Sequence, residues 1–339
     1  MPGAVFITGG SGFVGGALLR RLVEEGREVR ALARSAEAAA AVTDAGARAV
    51  PGDVFDRTAL AGGMHGCETL FHAAGVNAMC AHDPGPMIRT NVEGSDIVVR
   101  AAAEAGVRRV IYTSSAATIG EPPGVAANEL TQHRGRFLSE YERSKFLGEE
   151  RVLALGRDLG IEVVSINPSS VQGPGRTGGS ARLLIGLVQT RVPVIVDTFV
   201  SIVDVEDCTR AHLLAEKRGR PGERYLVSGA SLTTRRALAL VRSVAGRPRR
   251  VLRLPRAIAS VAGVLAGWGS RAVGRDLPFC PELARTLLHG HRYDASRAVR
   301  ELGMVYRPIE ETVARTLGWY ADRGLIRPLH PDARRRRTR

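Results

Sequence analysis

Short apolar segments of strand length alternate with stretches of helix length through the first half of this chain, and that alternation leaves few folds open. Val5-Phe6-Ile7, Val29 to Ala33, Ala49-Val50, Thr69-Leu70-Phe71, Val110-Ile111-Tyr112 and Val163 to Ile166 read as buried strands. Helical patterns separate them over Gly12 to Glu25, Ser35 to Ala45, 86–105 and 138–158. Strands apolar on both faces, joined by crossovers of this length, make βαβ units and a parallel sheet. The expected fold is therefore α/β, a Rossmann-like doubly wound parallel sheet, with the dinucleotide-binding domain over residues 1–170. Beyond Pro168 the pattern loosens. Short strands are expected near 194–196 and 225–227, and helices near 205–217, 233–245 and 308–322. These mark a smaller, mixed substrate-binding lobe over 171–330, interleaved with the first domain near 194–230.

Composition sets the other bounds. With 44% hydrophobic and 24% charged residues the chain can bury a core, and with 5% aromatics that core is built mainly from Ala, Val, Leu and Ile. The net charge of +14 lies wholly in the last third: residues 235–339 hold 23 Arg against 8 acids, while residues 1–234 are near neutral. Part of it is the run Arg334 to Arg339, read as a disordered basic tail over 331–339. No nucleic-acid motif accompanies it, so nucleic acid is not an expected partner. No apolar run approaches the roughly 20 residues of a membrane-spanning helix. The segment Ala257 to Trp268 is apolar all round and flanked by arginines. It suits a helix walling a pocket, a subunit contact, or a peripheral membrane contact. Cys67, Cys80, Cys208 and Cys280 show no paired spacing, which argues against a disulfide framework and a zinc site and for a reducing cytoplasm. The N-terminus enters a strand at once and reads as carrying no signal peptide.

Two motifs carry chemistry. Gly9, Gly12, Phe13, Val14 and Gly15 lie in Thr8-Gly9-Gly10-Ser11-Gly12-Phe13-Val14-Gly15, directly after the first strand and opening a helix. Glycines there let backbone N–H groups approach a pyrophosphate, which the helix N-terminus stabilises. In Tyr141-Glu142-Arg143-Ser144-Lys145 the tyrosine and lysine share one helix face. An ammonium at that spacing favours the phenolate, so Tyr141 can exchange a proton with a substrate oxygen. Arg outnumbers Lys 46 to 2, yet this position is Lys. A guanidinium would stay charged and could not join the same relay.

These motifs make the chain resemble the extended branch of the short-chain dehydrogenase/reductase superfamily, the NAD-dependent epimerase/dehydratase family. Within it the likeness is nearest to dihydroflavonol-4-reductase-like proteins and the hopanoid-associated sugar epimerase group. Further landmarks are Gly52-Asp53-Val54, Phe71 to Gly75, Asn91 to Gly94, Tyr112 to Ala116, Asn167 to Pro174, Val205-Glu206-Asp207 and Asp294 to Arg297. The resemblance implies that Tyr141 is the acid/base, Lys145 its partner and a ribose ligand, and Ser115 the hydroxyl on the reacting oxygen. Ser114 is the rival, but Ser115 stands at the family's spacing, five residues before Gly120. Asn91 would hold a helix and a relay water, or simply make a polar contact within the helix. Asp53 and Val54 would lie at the adenine, Ala73, Ala74 and Gly75 under the cofactor, and Pro168, Ser169, Ser170 and Val171 at the nicotinamide amide. His72 is expected to pack at a strand end, and His133 is a loose substrate candidate.

The reaction implied is reversible hydride transfer between a nicotinamide cofactor and a carbonyl or secondary alcohol. A sugar 4-epimerase and a non-catalytic dinucleotide sensor are the alternatives; the intact Ser115, Tyr141 and Lys145 set opposes the sensor. Ala116 and Ala117 stand where the family's dehydratases carry acids, and Val200 stands where many of its sugar-nucleotide enzymes carry a diphosphate-clamping arginine. Arg176, Arg182 or Arg191 could substitute from other positions. No acid occurs between Val29 and Ala36, where NAD-selective sites place one, and Arg34 beside Ser35 can pair with a 2′-phosphate. The expected cofactor is therefore NADP, with NAD the alternative and no metal. The expected partners are a small carbonyl, alcohol or sugar substrate and a second copy of the chain in a homodimer.

Overall fold

A computed structural model describes residues 3–190, 192–245, 250–261 and 280–328. Seven parallel strands form the main sheet: β1 (Val5–Thr8), β2 (Val29–Ala33), β3 (Arg48–Pro51), β4 (Thr69–His72), β5 (Arg109–Thr113), β6 (Glu162–Pro168) and β7 (Arg224–Val227). Their order is β7-β6-β5-β4-β1-β2-β3. The strand order therefore reverses between β1 and β4, where an open α/β sheet leaves a crevice at its carboxyl edge. Helices α1 (Phe13–Glu24), α2 (Ala36–Asp44), α3 (Arg57–Met64), α4 (Ser95–Glu104), α5 (Glu140–Leu159) and α6 (Val205–Arg218) cover its faces. Helices thus form at each position where the apolar pattern asks for one.

Alternation along each strand feeds two cores. Val5, Ile7, Phe71 and Ile111 pack on one face with Leu18, Leu19 and Leu22 of α1. Phe6, Leu70, Val110 and Tyr112 pack on the other with Val98 and Val99 of α4 and Val152 of α5. Covering both faces is why these strands are apolar throughout.

The second half holds elements that the pattern did not announce. Ser170–Gln172, Phe199–Asp204 and Ala230–Thr233 form a three-stranded sheet. The helix Ser180–Gln189 is another, and it packs with the two expected helices, Thr234–Ala245 and Ile309–Asp322, in a third core around Val188, Val241, Leu317 and Tyr320. The apolar segment enters the structure only at its start, helical over 256–261 with Ile258 and Val261 exposed. Its remainder, Arg191 and the basic tail lie outside the described residues. Among the described residues no helix is long and apolar enough to cross a membrane.

One expectation is overturned. Cys80 and Cys280 form a disulfide with their Cα atoms 5.7 Å apart, across 200 residues of sequence. Spacing cannot reveal a pair that only the docking of the second lobe brings together. The cysteine argument for a reducing compartment loses its premise; Cys67 and Cys208 are free and buried.

Leu70 lies at the centre of the sheet with no exposed surface. Leu70→Ala should cost about 2–5 kcal/mol of stability, read as a lowered urea midpoint at unchanged slope.

Candidate active site

The glycine turn is shaped by a backbone that passes very close. Gly9 has a φ of +73°, and a Cβ there would sit 2.7 Å from the Ala73 carbonyl and the Ala74 nitrogen. A Cβ on Gly15 would lie 2.1 Å from the Gly9 oxygen. Only glycine lets the turn after β1, the start of α1 and the exit of β4 share this space. Gly12 caps α1 without a side-chain bond, and no acid occupies its first turn. The N–H groups of Phe13, Val14 and Gly15 therefore point from an uncapped positive helix end, a cradle suited to a pyrophosphate.

The rim carries the other cofactor candidates. Ser35 caps α2, its Oγ accepting from the Ala38 N–H at 3.2 Å. Arg34 beside it is exposed and makes no hydrogen bond or ion pair among the described residues. Asp53 is exposed, its Oδ1 accepting from the Phe55 N–H at 2.8 Å, and Val54 is buried against Gly94. At the end of β6, Ser169 donates its N–H to the Val227 carbonyl at 2.9 Å. Ser170 and Val171 then enter the small sheet beside Phe199–Asp204.

Below the cradle a buried proton order runs through His72. The Ser95 hydroxyl donates to the Asn91 carbonyl at 2.9 Å, so the 3.0 Å contact to His72 Nε2 has the imidazole as donor. Nδ1 then accepts from Thr8 Oγ1 at 2.6 Å, and that oxygen accepts the Ala74 N–H at 3.2 Å. His72 is thus a neutral structural bridge between β1, β4 and α4. Burial, with the Lys145 charge adding, lowers its pKa to about 3. His212 is the counterpart behind β5: Nδ1 donates to the Cys208 carbonyl at 2.7 Å and Nε2 accepts from Thr113 Oγ1 at 2.8 Å. Burial lowers it to about 4.

Tyr141 lies in the first turn of α5, which Ser139 caps by accepting from the Glu142 N–H at 3.1 Å. Lys145, one turn on, is 5% exposed. Its Nζ donates to the Tyr112 hydroxyl at 3.1 Å and to the Thr113 carbonyl at 2.9 Å, leaving one donor for a ligand. Burial pulls the lysine pKa down while the Tyr141 and Glu149 charges pull it back up. Gly75 lets the exit of β4 reach this point: a Cβ would lie 3.2 Å from Asn91 Oδ1 and 3.8 Å from Lys145 Nζ. Asn91 sits in a π-helical turn, Thr90–Gly94, and its amide is fully engaged. It accepts from the Val76 N–H at 2.8 Å and donates to the Val76 carbonyl and Ser144 Oγ, both at 2.9 Å.

Ser115 opens the 3₁₀ turn Ala116–Ile119, and its Oγ accepts from the Ala117 N–H at 3.2 Å. Its own hydroxyl proton is left to donate. Ser114 Oγ is buried with no hydrogen-bond partner. The residues that hold this turn were not foreseen. Glu149, on the Tyr141–Lys145 face at i+8, accepts from Thr118 Oγ1 at 3.0 Å, from the Asn167 amide and from Arg224 at 3.3 Å. The i, i+4, i+8 spacing was the available signal. The turn also packs His133, against Phe137 and Phe146 and so close to Gly120 that no Cβ fits there. Of the arginines expected to substitute for a phosphate clamp, Arg182 is exposed, while Arg176 donates to the Val171 carbonyl at 2.8 Å and the Gly178 carbonyl at 3.2 Å.

Residues 5–228 match the model of the NAD dependent epimerase/dehydratase family. The chain belongs to that family. Sterol demethylase protein B of Methylococcus capsulatus is 32% identical over 94% of this chain and 99% of that protein. The 4-hydroxy-2-methyl-3-oxo-4-farnesyl-3,4-dihydroquinoline-1-oxide ketoreductase of Stigmatella aurantiaca is 34% identical over 74% of this chain and 75% of its own length. The crystal structure of gox2253 superposes with a TM-score of 0.85 at 29% identity, covering 96% of this chain and 99% of that one. Other curated relatives are named as reductases, dehydrogenases and epimerases. The protein is an enzyme with a Rossmann fold, and the family's cofactor is a nicotinamide dinucleotide.

The two neutral histidines make stability pH-dependent. Their folded pKa values lie below the unfolded 6.5, so above that pH neither state binds the proton and no dependence arises. Below it the unfolded chain takes protons that the native state refuses, and stability falls toward pH 4 by up to about 1.4 kcal/mol per pH unit for each histidine. Glu129, Glu142 and Asp207, raised by burial, act in the opposite sense. The difference between wild type and His212→Gln in urea titrations at pH 4.5 to 7.5 isolates one histidine. The variant's curve should be flatter on the acid side by up to that slope.

Proposed function

We propose that this enzyme is an NADP-dependent reductase of compact, largely apolar carbonyl compounds, running reversibly to the secondary alcohol. The observation that carries the reading is Lys145: a buried ammonium tied by two hydrogen bonds, one helical turn from Tyr141 and beside the Gly75 strand exit. A nicotinamide, when bound, supplies or takes the hydride. Tyr141 gives its phenolic proton to the substrate oxygen in reduction and takes it back in oxidation. Lys145 sets a positive charge one turn from Tyr141 and keeps its third N–H for a ribose hydroxyl. Ser115 donates its free hydroxyl proton to the substrate oxygen and orients the carbonyl. Asn91 acts as a positioning residue, joining the loop after β4 to α5. Gly9, Gly12 and Gly15 with the N–H groups of the first turn of α1 would hold the pyrophosphate, and Arg34 with Ser35 the 2′-phosphate.

The substrate assignment rests on what the described residues of the pocket side lack and on the chain's relatives. Ala116 and Ala117 offer no acid or base for elimination. Val200 offers no cation, and Arg176 uses its Nε and Nη1 on the Gly178 and Val171 carbonyls, leaving Nη2. A buried diphosphate without paired cations is heavily penalised. The ketoreductase named above supports a carbonyl substrate, and its farnesyl-bearing substrate and the sterol protein's name support a lipophilic one. Residues 171–330 are assigned to substrate binding.

NADPH absorbance should fall with a panel of hydrophobic ketones, and Tyr141→Phe should lower kcat at least about 10²-fold with cofactor binding retained. Near-normal turnover by the variant refutes the proton donor. Micromolar calorimetric binding of UDP or dTDP, with sugar turnover and no net change in NADPH, replaces the reductase by an epimerase.

Arg34→Ala should weaken NADP binding by about tenfold or more and leave NAD binding unchanged. Equal affinity for the two nucleotides in both proteins removes the NADP assignment.

A further inference from the structure

Outside the Ser115–Tyr141–Lys145 site, three side chains distant in sequence meet at one point. Glu121 follows the turn that begins at Ser115. His289 ends the helix Pro281–His289, and His291 immediately precedes the strand Arg292–Tyr293. One ligand atom from each lies within 4.8 Å of the other two. Glu121 Oε1 is 2.6 Å from His291 Nδ1 and 3.6 Å from His289 Nε2, with side-chain exposures of 1%, 22% and 4% in that order. Glu121 Oε2 and His289 Nε2 are buried and have no hydrogen-bond partner. Two orphaned buried polar atoms in one cluster are costly for a folded protein to keep, unless a ligand satisfies them.

We propose that Glu121, His289 and His291 bind a divalent transition-metal ion of the zinc type. Two imidazoles and one carboxylate are the donor set such an ion prefers, and three protein ligands leave a fourth position open. Bonds of about 2.0–2.2 Å in tetrahedral geometry set donor atoms about 3.3 Å apart. Of the three observed separations, the two from Glu121, 2.6 and 3.6 Å, bracket that value, and the third lies within 4.8 Å. The Tyr293 hydroxyl, 3.2 Å from His291 Nδ1, stands at the edge of the site.

The ion would act as a clasp. The helix Pro281–His289 lies on the start of α5: Glu282 accepts from the Glu140 N–H at 3.0 Å, and Arg285 donates to the Leu138 carbonyl at 3.1 Å. Its first end is pinned by the Cys80–Cys280 disulfide. The metal would pin its second end to the turn that carries Ser115, on either side of Tyr141's helix terminus. This inference is independent of the substrate assignment.

The test uses the full-length untagged chain, stripped with a chelator and titrated with Zn²⁺ and Co²⁺. One zinc per chain should be retained after dialysis, Co²⁺ should give the visible absorption of a tetrahedral site, and Zn²⁺ should raise the Tm. His289→Gln and His291→Gln, each checked for native far-UV circular dichroism without metal, should lose at least about tenfold in Zn²⁺ affinity. Glu121→Gln should do the same if it folds, and the two histidine variants decide if it does not. His65→Gln, which removes an exposed histidine outside the cluster, should bind as wild type does. Absence of stoichiometric zinc in the wild type overturns the proposal. So does equal zinc binding by the His289→Gln and His291→Gln variants. The cluster is then a buried carboxylate neutralised by imidazole protons.

Discussion

The close approach of the Gly9 turn to the Ala73-Ala74 backbone is the contact on which the rest of the site depends. It occurs where the strand order reverses, so β1 and β4 leave the sheet side by side and their loops diverge above it. With no Cβ at Gly9 or Gly15, three backbone segments meet, and α1 aims its uncapped N–H groups into the crevice they form. Thr8, His72 and Ser95 fasten the same junction from below. Their proton order is unambiguous because each end of the chain terminates in a backbone group of fixed polarity. Burial, with the nearby Lys145 charge, disfavours a second proton on His72 and so keeps that order.

The reactive face of α5 is organised by polar burial instead of exposed charge. Tyr141, Lys145 and Glu149 succeed one another on one stripe, and each meets a different part of the sheet edge. Lys145 is held by Tyr112 and Thr113 of β5. Glu149 is surrounded by donors from Thr118, Asn167 and Arg224. A buried carboxylate so enclosed locks the turn of Ser115 to the helix of Tyr141. Positioning at this precision comes from second contacts that do no chemistry themselves, and Asn91 plays the same part on the opposite side of Lys145.

Among the described residues, the helix Pro281–His289 is one of the elements that join the second lobe to this part of the structure. Pro281–His289 contacts the loop after β4 through Cys80 and Glu282, and the start of α5 through Glu282 and Arg285. The second lobe is thereby tied covalently to the loop after β4 and by hydrogen bonds to the start of α5. The apolar core around Val188, Val241 and Leu317 lends that lobe its own rigidity.

Much of this was legible in the linear chain because it rests on local regularities. Strand and helix alternation, the glycine turn after β1 and the Tyr141–Lys145 spacing each concern residues within a few positions of one another. Phase and conformational freedom of that range are written in the residues themselves. The short sheet of Ser170–Gln172, Phe199–Asp204 and Ala230–Thr233 was not legible, since no helix-length crossover pattern announces the pairing of its separate strands. Neither was the Cys80–Cys280 bond, the enclosure of Glu149 by Asn167 and Arg224, nor the meeting of Glu121 with His289 and His291. These join residues 18 to 200 positions apart. No periodicity encodes such a meeting. The sequence by itself determined the parallel sheet, the glycine turn after β1 and the Tyr141–Lys145 stripe, because each depends on residues a few positions apart; the packing of two lobes decided which distant side chains share a buried space.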